Sequence, residues 1–78
     1  MKLGIALSKA PLRTPLTLID CQVDPSASQR LTALGLRVGS SFSLISKTAG
    51  GGRVVQVAGS RVAVGRSLLA GLRAEVAA

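Results

Sequence analysis

The sequence predicts a mainly β protein: a small barrel of about five strands, with one α-helix inserted after the first strand and a short helical turn before the last. Three observations carry this. Val, Leu and Ile recur in short segments separated by Gly and Ser, the spacing of strands of roughly five residues joined by tight turns. The chain is 47% hydrophobic yet holds a single aromatic, Phe42, so its core must be aliphatic. Two glycines, Gly35 and Gly39, bracket Leu36, Arg37 and Val38, the mark of a helix stopped hard and turned at once into a strand.

At 78 residues there is room for one domain, which should bury only about 60 to 65% of its unfolded surface. Residues 1–13 read as a lead-in segment, and residues 14–78 as the domain itself. Pro11 and Pro15 disfavour helix across the join, while Leu3, Ile5 and Leu7 alternate with smaller residues, as in a short edge strand or a tail lying over the barrel. Leu16 to Val23 is the first strand, with Cys21 an inert buried side chain. Asp24-Pro25 opens a helix, because an aspartate oxygen can accept from a free N–H of the first turn and proline at the first helical position forfeits no bond. The helix should run to about Leu34, burying a stripe of Ala27, Leu31 and Leu34 and turning Ser26, Gln29 and Arg30 elsewhere.

Past Gly39 the chain alternates, with Phe42 and Leu44 on one face and serines on the other. Ala49-Gly50-Gly51-Gly52 makes a turn, and Val54 to Ala58 returns with Val55 and Val57 inward and Gln56 outward. Gly59-Ser60 is a two-residue turn into Arg61 to Gly65, where Val62 and Val64 share a face. Leu68 to Gly71 fits one helical turn, and Leu72 to Val76 a last strand that closes the sheet and leaves no long edges.

The side-chain inventory excludes most chemistry. There is no histidine, one cysteine and one methionine, too few N, O or S ligands for a transition-metal site. Without histidine the serines and Cys21 lack their usual base, and Lys2, Lys9 and Lys47 show no apolar pocket that would lower their pKa, so no catalytic residue and no cofactor is expected. Gly50-Gly51-Gly52-Arg53 lacks the Gly-Lys-Ser/Thr ending of a phosphate-binding loop and reads as a hairpin loop. The net charge of +7 would attract nucleic acid, anionic lipid or an acidic protein face, but one phenylalanine gives no stacking platform for single strands. No apolar run approaches the ~20 residues that span a bilayer. Lys2 precedes only a short apolar segment, Leu3 to Leu7, with Lys9 soon after, which makes no signal peptide, and a lone cysteine forms no internal disulfide. A cytoplasmic location is expected.

What remains is a protein-binding surface. Leu36 stands between two glycines at the helix exit, where it should be only partly covered, and Arg30 and Arg37 flank the same corner near Leu31 and Leu34. An apolar spot ringed by guanidinium groups suits a contact centre. The same five residues also fit a plain reading in which all three leucines are core and both arginines are solvated.

The run Arg30-Leu31-Thr32-Ala33-Leu34-Gly35-Leu36-Arg37-Val38-Gly39-Ser40 resembles the signature of the FeoA family, small cytosolic accessory proteins of bacterial ferrous iron uptake. The resemblance covers roughly residues 16–77. By the inventory above, the protein itself should carry no iron and hydrolyse nothing; the resemblance implies an SH3-like barrel and a partner in the cytosolic G-protein domain of the ferrous iron transporter FeoB. It implies no small-molecule substrate and a membrane link only through the transporter. An arginine offered in trans can stabilise phosphoryl-transfer charge, and Arg37 and Arg53 are the turn-adjacent candidates. Two other readings stay open: a relative of the C-terminal domain of iron-dependent transcriptional repressors, or a basic barrel that associates with nucleic acid.

Overall fold

The computed structural model describes residues 4–77; Lys2 and Leu3 lie outside them. Six strands and two helices follow one another as β1 (Ile5–Ala6), β2 (Leu16–Cys21), α1 (Pro25–Ala33), β3 (Ser41–Lys47), β4 (Arg53–Val57), β5 (Ser60–Val64), α2 (Arg66–Leu69) and β6 (Leu72–Val76). The strands form one antiparallel sheet in the order β1-β6-β2-β3-β4-β5.

The mainly β, SH3-like architecture is present, with one strand more than expected and without closure. Among the described residues, β1 and β5 are the two edges, and no ladder joins them. The added strand comes from the lead-in segment: Ile5 and Ala6 pair with Ala74 and Arg73 of β6. β1 ends after two residues because the chain tightens into a 3-10 turn at Leu7–Lys9, which sends Leu7 into the core with no exposure. A strand this short cannot run along β5.

Register shifts at Leu18/Asp20 in β2 and at Leu44/Ser46 in β3 each insert an unpaired residue, and such bulges bend a sheet. The sheet therefore wraps around an interior that is aliphatic apart from Phe42, built from Leu16, Leu18, Phe42, Leu44, Val55, Val57, Leu72 and Ala74 of its inner face. Leu31 of α1 and Leu69 of α2 cap this interior. Phe42, Leu44, Val55 and Val57 are buried as expected, with Gln56 exposed between its neighbours, and Val62 and Val64, expected on one face, are partly buried and buried. Cys21 is half-buried at the end of β2 rather than enclosed.

A side chain crosses from β4, the strand next to the β5 edge, to the turn that follows β1. Arg53, at the start of β4, is 9% exposed; its Nη1 donates to the Gly51 and Gly52 carbonyls at 3.1 and 2.9 Å, and its Nη2 to the Ser8 carbonyl at 2.7 Å. Arg53 is turn-adjacent as expected, but its guanidinium is engaged within the fold. Its guanidinium ties the β3–β4 loop to the turn after β1.

Candidate partner-docking site

The helix exit is built by a cap that follows from the sequence. At the other end of α1, the Asp24 carboxylate accepts from the Ala27 N–H at 3.4 Å and Pro25 occupies the first helical position. At the exit, Gly35 takes φ +96, the Gly35 N–H donates to the Thr32 carbonyl at 2.9 Å, and the Leu36 N–H donates to the Leu31 carbonyl at 2.8 Å. These two bonds are the Schellman arrangement, in which the residue after the glycine folds back on the helix and meets the residue five before it. Leu36 and Leu31 do so, and are 2% and 4% exposed.

This corrects the expectation that Leu36 is partly uncovered and that Leu34 completes the buried stripe. Leu36 is core, and Leu34, at the helix C-cap, is 41% exposed. Arg30 and Arg37 are both exposed. Ser40 fixes the turn that follows, its Oγ donating to the Arg37 carbonyl at 2.6 Å and accepting from the Arg37 N–H at 3.0 Å. The turn is pinned to β2 by the Gly39 N–H on the Leu18 carbonyl and the Leu18 N–H on the Ser40 carbonyl, at 2.8 and 3.0 Å. Of the five residues singled out from sequence, Leu31 and Leu36 form the floor of this corner, while Arg30, Leu34 and Arg37 reach solvent.

Leu34 and Arg30 also belong to a feature the sequence did not suggest. Between α1 and β5 runs a groove of about 240 Å³, lined by Ala27, Arg30, Leu31 and Leu34 on one side, Val62, Ala63 and Val64 on the other, and Leu68 of α2 at one end. It depends on packing a helix against a strand some thirty residues later in the chain, a pairing that local patterning does not encode. The one usable signal is the run of small and branched apolar residues in β5 after an exposed arginine, Arg61-Val62-Ala63-Val64. Among the described residues, no three His, Cys, Asp or Glu side chains come together as a metal site would require.

The sequence profile of the FeoA domain matches residues 5–76. The chain belongs to the FeoA family. No curated protein sequence matches it. Solved structures agree in fold with FeoA proteins. The FeoA protein from Chlorobium tepidum superposes with a TM-score of 0.85 at 20% identity, over 95% of this chain and 71% of that one. An iron uptake regulatory protein, FeoA, gives 0.81 at 20% identity, over 94% of this chain and 97% of that one. ScaR, solved with bound zinc, gives 0.79 at 17% identity, over 97% of this chain but 37% of that one. The FeoA profile begins at the first residue of β1 and ends at the last of β6, so all six strands are part of the FeoA fold in this chain.

Proposed function

We propose that this chain is an accessory protein of bacterial ferrous iron uptake, and that it acts as a protein-binding module on the cytosolic G-protein domain of a FeoB-type transporter. Membership of the FeoA family supports a role in ferrous iron transport. In this reading the protein works in the cytoplasm, performs no catalysis, and meets the membrane's inner face only through the transporter. No described helix is long and apolar enough to cross a bilayer.

The observation that carries a binding role is Leu34, a large apolar side chain 41% exposed at a rigidly capped helix exit, with Arg30 one turn before it and Arg37 just after the cap. Arg30, Leu34 and Arg37 make the contact, and Leu31 and Leu36 hold it in place from beneath. Apolar centres rimmed by arginine are the usual make-up of protein contacts. The test is co-purification of the chain with the transporter's cytosolic domain at moderate salt. Retention that Leu34→Asp abolishes is the expected result, and two folded proteins that fail to associate would defeat it. Kinship with the repressor C-terminal domain draws only weak support from the likeness to ScaR, which is one of fold.

A further inference from the structure

β5 is an edge strand, and its pairing with β4 decides which of its backbone groups are free. The hairpin between them has two loop residues, Ala58 and Gly59, both at positive φ, so Val57 and Ser60 form the hydrogen-bonded closing pair. Antiparallel pairs alternate between bonded and non-bonded, so Val55–Val62 and Arg53–Val64 are also bonded pairs. The N–H and C=O groups of Arg61 and Ala63 therefore point away from β4. Among the described residues, no other backbone group bonds to them. A row of such groups is a template for another strand.

Beside this edge lies the apolar groove floored by Val62, Ala63 and Leu34. Arg30 lines it and Arg61 stands on the edge itself. The three acids are placed elsewhere: Asp20 in β2, Asp24 capping α1 and Glu75 in β6. The local field is thus positive, within a chain of net charge +7.

We infer that β5 accepts an extended partner segment by strand addition, and that the segment alternates aliphatic residues, seated in the α1–β5 groove, with acidic residues facing Arg30 and Arg61. The inference rests on the docking reading above and names the surface it uses. Backbone bonds would supply affinity, and alternate side chains specificity. A nucleic acid brings negative charge but no ladder of N–H and C=O groups. A second copy of this chain brings the ladder but sets +7 against +7.

The test has two arms on the 78-residue chain. In the first, amide NMR follows titration with an eight-residue peptide of alternating Val and Asp, and with its Val and Lys counterpart. Shifts and slowed exchange centred on the Arg61 and Ala63 amides with the acidic peptide alone are expected. Shifts elsewhere, equal response to the Lys peptide, or none would overturn the inference, as would protection of these amides by self-association without peptide.

The second arm measures binding of the transporter's cytosolic domain to the wild type and to Ala63→Pro. This substitution removes an outward N–H without touching a bond to β4, as proline is tolerated on edges. At least tenfold weaker binding, with an unchanged amide spectrum outside β5, is expected. Equal binding would overturn strand addition while leaving docking intact; if the wild type does not bind but the acidic peptide does, the docking reading falls and the β5 site stands.

Discussion

Gly35 is the residue on which the helix exit turns. Its φ of +96 costs an L-residue about 1–2 kcal/mol, and a Cβ added there would sit 3.0 Å from the Ala58 Cβ of the β4–β5 turn. Gly35→Ala should therefore lower unfolding stability by about 1–2 kcal/mol or more, measured by urea titration. Leu34 and Leu36, two residues apart, should behave as opposites. Leu36→Ala empties a core site and should cost about 2–4 kcal/mol, whereas Leu34→Ala should cost well under about 1 kcal/mol. Equal losses at the two would contradict the capped geometry. Asp24 and Gly35 were legible because capping is local and depends on residue type. The partition of the leucines was not read from spacing alone, since the glycine cap breaks the helical period and folds Leu36 back over Leu31.

Among the elements, hairpins were legible in face but not in register. Strict alternation places Val55 and Val57 inward and Val62 and Val64 on one face, yet the β4–β5 turn falls on Ala58-Gly59 rather than Gly59-Ser60, and Ser60 is already paired with Val57. The difference is one residue because alternation is blind to where the chain reverses, and here an alanine takes φ +52. Positive φ at both loop positions is the requirement that Asn-Gly meets best. Ala58→Asn should thus stabilise the protein by roughly 0.5–1 kcal/mol, visible as a higher thermal midpoint with unchanged amide shifts outside the hairpin. No rise would mean that another contact of Ala58 offsets the relief of its backbone. The α1–β5 groove lies a step further from the sequence, because it requires knowing that β5 ends the sheet and that α1 lies beside it.

At the scale of the whole molecule, the open sheet leaves β1 and β5 unjoined among the described residues, and Arg53 ties the turn after β1 to β4, the neighbour of β5. A buried arginine is rarely foreseen from sequence, since this residue type is almost never fully buried unless paired. Its partners explain the exception: three backbone carbonyls, one of them Ser8, lying 45 positions away. The guanidinium thus binds the turn after the first strand to the start of the fourth, one strand in from the β5 edge. Arg53→Met keeps much of the volume but removes all of these donors. The Gly51 and Ser8 carbonyls then lose this donor while the Gly52 carbonyl keeps the Thr48 N–H, and hydrogen bonds from a charged donor are worth about 1.5–3 kcal/mol. The Nε of Arg53 is itself buried without a partner, which reduces the net loss, so about 1.5–3 kcal/mol is expected in all rather than the sum of separate bonds. The loss should also be directional. The pairs Ile5–Ala74 and Ala6–Arg73 should exchange their amide hydrogens much faster in Arg53→Met than in the wild type, while the β3–β4 pairs keep their protection. Uniformly faster exchange across the sheet would mean that Arg53 supports the core in general, and unchanged exchange at β1 would show that the first strand is held by Leu7 alone.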